Sequence, residues 1–317
     1  MNAEKPIIAV VGATGAQGGG LIRAILADKS QRFAARAVTR DPQSAAAREL
    51  AQLGAQVVVA DVDDPASLER AFFGAEAAFC VTFYWAHLSP KKEISHAQNL
   101  ALAAKRAAVP HVIWSTLEDT RRFLPLSDSR MPTLLEAYKV PHFDEKGACN
   151  QIFAELGVPT TYLYTSFYWE NLIYFGLGPK RRADGTLAFT LPMGDAKLPG
   201  IASEDIGRSA YTVFQRGAAT IGKSYGIAGE HLSGSQMATA LSQALGEPVL
   251  HDDMTPDAFR ALPFPGADDL GNMFQFKRDF EREFRARRDP YTSHELNPDM
   301  QTFAQWLTLN AQRIPLD

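Results

Sequence analysis

Apolar positions in the first half of the chain follow two alternating rhythms. Ile7 to Val11 is a continuous apolar run that stops at Gly12, and from Gln17 to Asp28 the residues Leu21, Ile22, Ile25 and Leu26 recur at helical spacing. The pair then repeats. Further strands are predicted over 34–39, 56–60, 77–82, 111–115 and 160–165. Helices are predicted over 44–53, from Pro65 to the stop at Gly74, over 90–108 and over 143–156, the last ended by Gly157. Proline suits the first turn of a helix because its missing N–H would have had no intrahelical partner. Strands alternating with helices imply βαβ units, a parallel sheet and right-handed crossovers. Short, wholly apolar strands such as 7–11 and 56–60 suit a sheet covered on both faces. The expected fold class is α/β, a doubly wound parallel sheet with a second, smaller α/β lobe.

Beyond Ser166 the rhythm decays. Residues 167–200 are rich in aromatics, Gly and Pro, and read as irregular. A helix is predicted over 203–214, a short strand over 224–228 and a helix over 235–245. The tail from Thr255 is aromatic and ends in an amphipathic segment around Phe303, Trp306 and Leu307. This divides the chain into a first domain over 1–166, with return segments near 200–230, and a smaller C-terminal lobe over 167–317. The two are interleaved rather than joined by a linker.

Composition narrows the class. With 317 residues and 46% hydrophobic content the chain can bury a core without staples. A net charge of -4 gives no general electrostatic case for nucleic acid or an anionic membrane. Two cysteines, Cys80 and Cys149, cannot make a disulfide framework or a four-cysteine zinc site, and suit a reducing compartment. No apolar stretch is long enough to span a bilayer, and the N-terminus lacks the pattern of a secretory leader, so a cytoplasmic protein is expected.

The turn after the first strand carries the clearest chemistry. Gly12, Gly15 and Gly18 follow a strand and open a helix with G-x-x-G-x-x-G spacing. Glycine there permits a tight turn and close approach of backbone to a pyrophosphate, and the helix offers it unpaired N–H groups and a positive dipole end. The end of the second strand decides which dinucleotide. A carboxylate at that point would accept from the ribose 2′-hydroxyl of NAD, whereas this chain has Arg40, able to fork onto a 2′-phosphate. NADP(H) is therefore the expected cofactor, unless Arg40 is a solvated surface residue or pairs with Asp41. Asp61 and Val62, after the third strand, either reach the adenine edge or simply cap their own turn.

These residues resemble the NmrA-like family, relatives of the short-chain dehydrogenases. The likeness lies in GATGAQGG at 12–19, TRDP at 39–42, the 60–64 segment, VTFYW at 81–85, HFDEKG at 142–147, ENL at 170–172, MTPDAF at 254–259 and FPGADDLGNMF at 264–274. The last of these points to the redox-sensing branch of the family. The resemblance implies a Rossmann domain with a smaller lobe, NADPH preference and possible self-association as a homodimer. It also implies cofactor contacts from Thr14, Gln17, Arg40, Asp61, Thr82, Lys146 and the Tyr168 to Asn171 loop.

Active short-chain dehydrogenases commonly carry a Tyr four residues before a Lys, the Tyr giving a proton and the Lys holding the nicotinamide ribose. None of the nine tyrosines here has Lys at the fourth following position. Lys146 is present, and His142 stands where the Tyr is expected, with Ser115 after the fifth strand. His142 titrates in the right range for a proton donor, or is a helix-start residue making a local hydrogen bond. Tyr168 is either an alternative donor or pocket wall. His87 and His96 have no evident carboxylate set, so no metal is expected. Two functions follow: an NADP(H)-binding regulatory or redox-sensing protein with a protein partner, or an NADPH-dependent oxidoreductase acting on a quinone, imine or aromatic carbonyl. In the second, the reacting pocket is formed by Thr82, Tyr84, Ser115, His142, Lys146 and Tyr168.

Overall fold

The computed structural model describes residues 5–316. Strands in chain order are β1 (Ile7–Val11), β2 (Ala34–Thr39), β3 (Gln56–Val59), β4 (Ala77–Cys80), β5 (His111–Thr116), β6 (Thr160–Tyr164), β7 (Phe167–Tyr168), β8 (Lys180–Arg181), β9 (Leu187–Thr190), β10 (Leu198–Ile201), β11 (Ser224–Gly226), β12 (Glu230–Leu232) and β13 (Val249–Asp252). The helices used below are α1 (Ala16–Ala27), α2 (Ala45–Gln52), α3 (Pro65–Phe72), α4 (Pro90–Arg106), α5 (Pro141–Glu155), α6 (Asn171–Tyr174), α7 (Ser203–Arg216), α8 (Gly234–Leu245), α9 (Pro256–Arg260) and α10 (Ala267–Asp279).

Two compact units form. The first contains residues up to Glu118 together with Glu145–Tyr164 and Glu204–Tyr225. Its sheet has the order β11-β6-β5-β4-β1-β2-β3, and the pairings from β3 through β6 are parallel. The order reverses between β1 and β4, which places a crevice at the C-terminal ends of those two strands, the usual ligand position in such sheets. Register aligns Val10 with Phe79, so Gly12 and Val81 leave the sheet side by side. An apolar cluster packs against the sheet. Leu68, Phe72, Leu100, Trp114 and Phe153 are all buried, with Trp114 stacked on Phe153 at a 4.9 Å ring separation.

The segment Asp119–Asp144, which the sequence pattern does not separate from the first domain, belongs to the second unit with Thr165–Ser203 and Gly226 onwards. That unit has two three-stranded sheets, β12-β10-β7 and β13-β9-β8. Residues 167–200, read from sequence as irregular, thus contribute four short strands. Aromatic side chains fill the unit's core, with Trp169, Phe274, Phe276, Phe303 and Trp306 buried. Glu170 of the ENL segment ties this unit together, accepting from the Ser203 backbone N–H at 2.9 Å and from the Trp306 indole at 3.0 Å.

Candidate functional site

The glycine turn has the geometry its spacing requires. Gly12 adopts φ +66°, in the left-handed region, and accepts at its carbonyl from the Gly15 N–H at 2.9 Å. Gly18 packs so closely that a Cβ would lie 2.4 Å from the Gly12 carbonyl oxygen. Gly15 precedes helix α1 as its N-cap, offers no side-chain cap, and the first turn holds no acidic residue. Its leading N–H groups are therefore not answered by a capping side chain, and the helix dipole is not neutralised there. Thr14 is exposed in the turn. Gln17 is buried in the first turn, and its Oε1 accepts from the Ser115 hydroxyl at 2.8 Å, tying α1 to the end of β5.

Arg40 is exposed at the end of β2, and among the described residues it forms no ion pair. Asp41 is occupied locally, its Oδ1 accepting from the Gln43 N–H at 2.8 Å. Asp61 is likewise engaged in its own loop, Oδ1 accepting from the Asp63 N–H at 3.0 Å. The Val62 carbonyl accepts from Asn99 Nδ2 at 2.8 Å. Tyr84 is buried in a single 3-10 turn after β4.

Beside the crevice, the chain builds a polar knot that sequence reasoning missed in part. Thr82 follows β4, Glu93 lies in the first turn of α4, and Lys146 is on α5. Lys146 Nζ donates to Glu93 Oε1 at 2.6 Å, to the Thr82 hydroxyl oxygen at 2.5 Å and to the Thr82 carbonyl at 3.0 Å. The Thr82 hydroxyl donates in turn to Glu93 Oε1. The ammonium also lies 5.6 Å above the Trp114 ring. The Glu93 side chain is fully buried and that of Lys146 is 12% exposed. Burial pushes the Glu93 carboxyl up, but Lys146, the Thr82 hydroxyl and His87 outweigh it and hold it below the usual carboxylate range. Nothing in Ser89-Pro-Lys-Lys-Glu93 distinguishes Glu93 from a solvated first-turn acid, which is why the spacing gives no warning of it.

Glu93 also supplies the carboxylate for which the sequence shows no counterpart to His87 and His96. Ligand atoms of His87, Glu93 and His96 lie within 4.8 Å of one another. One hydrogen bond sets the tautomer of the His87 ring. His87 Nδ1 accepts from the Ser89 N–H at 3.0 Å, so the neutral ring carries its proton on Nε2, which faces Glu93 Oε2 at 3.5 Å. Burial pulls the His87 titration down, only partly countered by Glu93, and keeps the ring neutral. His96 Nε2 is held at 2.9 Å by Asp63.

His142, Tyr168 and Asn171 belong to the second unit. The buried His142 ring is bound through Nδ1 by Asp269 Oδ1 at 2.7 Å. The Tyr168 hydroxyl is 3.2 Å from Thr165 Oγ1, and Asn171 opens the short helix α6. Asp269 is the second residue missed. Asp268 and Asp269 in sequence look like ordinary acids at a helix start.

Sheet order, crossover and glycine turn together define an α/β protein of the Rossmann class. More narrowly, the chain belongs to the NmrA-like family, whose model matches residues 4–307. Among its relatives is the NmrA-like family domain-containing oxidoreductase lnbB of Aspergillus flavus, 28% identical over 292 residues, covering 86% of this chain and 80% of the relative. The NAD(P)H azoreductase of Xenophilus azovorans is 28% identical over 250 residues, covering 78% and 77% respectively. The solved structure of NmrA, a negative transcriptional regulator, in complex with NADP superposes with a TM-score of 0.78 at 24% identity. It covers 98% of this chain and 96% of that one, a likeness of fold. Among the described residues, no helix is long and apolar enough to cross a membrane.

Proposed function

We propose that this chain is an NADP(H)-dependent oxidoreductase reducing a quinone, azo, imine or aromatic carbonyl acceptor. The observation that carries the reading is the cradle in the first unit. It combines a Cβ-free turn, an uncapped helix start with no acidic residue, and an ammonium fixed where the strand order reverses. The backbone around Gly15 and the start of α1 would hold the pyrophosphate, Arg40 the 2′-phosphate, and Thr82 with Lys146 the nicotinamide ribose. The bound dinucleotide supplies hydride. The names of the oxidoreductase and azoreductase relatives support the same reaction class. Both cysteines are buried and free, and burial pushes the Cys149 thiol up to about 12, consistent with inert thiols in a cytoplasmic protein.

The test is NADPH oxidation against a panel of quinones, azo compounds, imines and aromatic carbonyls at several protein concentrations. A rate proportional to protein supports the proposal, and no rate on any acceptor overturns it. One observation favours regulation as a second reading. Every proton of Lys146 is already donated to Thr82 or Glu93, so a ribose that engages Lys146 must exchange one of those bonds. Cofactor occupancy would then bias the local arrangement of β4, α4 and α5. Scattering and protease sensitivity that change with NADPH, together with no turnover, would select this reading.

Cofactor choice gives a separate expectation. Arg40→Ala is expected to weaken NADPH binding by about 1.5–3 kcal/mol, the range for a hydrogen bond to a charged group, and to leave NADH binding nearly unchanged. Calorimetry with both cofactors checks it. Equal losses would mean that Arg40 does not contact the 2′-phosphate.

A further inference from the structure

We infer that His87 is the reserve donor of the buried pair, the positioning residue to which Glu93 turns when Lys146 gives a hydrogen bond to the nicotinamide ribose. The inference rests on the reading that Lys146 meets that ribose. Every residue it uses lies in the first unit.

Two buried atoms of complementary kind stand just short of a bond. His87 Nε2 and Glu93 Oε2 are both shielded from solvent, and neither has a hydrogen-bond partner. They face one another at 3.5 Å. A hydrogen bond between them needs about 2.9–3.0 Å, so a shift of about half an ångström separates them from it. Buried polar atoms left unsatisfied are costly, and most in folded chains have a partner.

The chain fixes which of the two atoms donates. A backbone N–H can only donate, and the Ser89 N–H is given to His87 Nδ1 at 3.0 Å. The Nδ1 lone pair is thereby used, and the neutral ring keeps its proton on Nε2. The ring is held from other sides too. It packs edge-on against the Tyr84 ring at 5.8 Å and the His96 ring at 5.2 Å between centroids. His96 is in turn bound by Asp63 at 2.9 Å. The imidazole is therefore the fixed partner, and the carboxylate is the part that moves. Rotation about the last torsion of a glutamate is soft, with broad wells.

Bond counting shows what His87 supplies. Lys146 Nζ donates to the Thr82 carbonyl, the Thr82 hydroxyl oxygen and Glu93 Oε1. Oε1 also receives the Thr82 hydroxyl, so the carboxylate holds two hydrogen bonds on one oxygen and none on the other. When Lys146 turns one N–H from Oε1 to the ribose, Oε1 keeps Thr82 and Oε2 gains His87. The carboxylate then still accepts as many hydrogen bonds as before, with the ammonium beside it. The Glu93 side chain is fully buried, so without His87 the same exchange would leave an interior carboxylate one bond short.

The experiment measures NADPH affinity by calorimetry on the full chain and on its variants His87→Asn and His87→Gln. The two amides divide the imidazole between them. The Asn oxygen sits near the Nδ1 position and can accept from the Ser89 N–H, but its amide does not reach Glu93. The Gln amide reaches the Nε2 position and can donate to Glu93, but leaves Ser89 without its acceptor. His87→Asn is expected to weaken NADPH binding by about 10–100-fold, the worth of one hydrogen bond to a charged group, and His87→Gln to keep most of the affinity. A role confined to the Ser89 turn gives the reverse order. Both variants lose the ring contacts with Tyr84 and His96, so thermal unfolding without NADPH is expected to show a similar loss in each. A second readout needs no variant. The proton NMR signal of the His87 Nε2–H is expected to move downfield and to exchange more slowly with water when NADPH is added, as the bond to Oε2 shortens. Unreduced affinity in His87→Asn, equal losses in both variants, the reverse order, or an Nε2–H signal that NADPH leaves unmoved overturns the role of His87 alone. An unmodified chain that does not bind NADPH overturns the dinucleotide reading, and this inference with it.

Discussion

Gly15→Val is expected to abolish binding of both NADPH and NADH while leaving the chain folded. Gly15 is the N-cap of α1, and a Cβ there would lie 3.3 Å from the Gly12 carbonyl oxygen, close enough that the turn must give by a few tenths of an ångström. The turn can take that adjustment. The branched methyl groups of valine, however, would stand over the N–H groups that a pyrophosphate must approach. Gly18 makes the contrast. A Cβ at that position meets backbone at 2.4 Å and has no side chain to push aside, so Gly18→Ala is expected to damage the β1–α1 packing itself. Circular dichroism and thermal unfolding separate the two variants, and calorimetry reads the binding. A Gly15→Val chain that keeps its affinity would remove the dinucleotide from this loop.

How much of this was legible in the sequence depends on the length of each element. Strands β1, β2, β4, β5 and β6 are runs of four to six residues set between clear helical periods, and that alternation picks them out. Strands β7 and β8 span only two residues each, too short for an alternation to be read, and no helical period separates β9 from β10 to mark them off. Strand β9 also pairs far along the chain, Leu187 with Val249. Tertiary context, not local pattern, makes them strands.

The site divides in the same way. Gly12, Gly15 and Gly18 are legible because the backbone demand is local. Lys146 and His142 are legible because a helix fixes their spacing. Glu93 and Asp269 are not legible, because each meets its partner 53 or 127 positions away and looks in sequence like any acid at a helix start. The segment Asp119–Asp144 shows the same limit. Its bonds to Asn272 and Gln275 place it with the second unit, and no periodicity announces them.

Removing one partner of the buried Glu93–Lys146 pair is expected to destabilise the chain strongly. Glu93→Leu strands a largely buried ammonium, and Lys146→Met strands a fully buried carboxylate; each should cost about 3–5 kcal/mol. The double variant should cost much less than the sum, because both charges leave the interior together and apolar groups of similar length take their place. Acid provides a second signature. The folded-state Glu93 carboxyl is held below its ordinary value, so the unfolded chain binds the proton first. Its contribution is therefore fully present above the ordinary carboxylate range, near pH 4.3, and is lost as pH falls through the lower folded-state value. The unmodified chain should lose stability more steeply on acidification than the double variant does. Urea unfolding of all four chains at pH 7 and at a series of lower pH values measures both effects. Single variants costing under about 1 kcal/mol, the level of an exposed pair, would show that the ammonium and carboxylate are solvated and that no fixed charge stands at the crevice. The double variant carries one more consequence. With Thr82 intact and Lys146 gone, NADPH binding should weaken although the fold persists, separating the stability role of the pair from its place at the ribose.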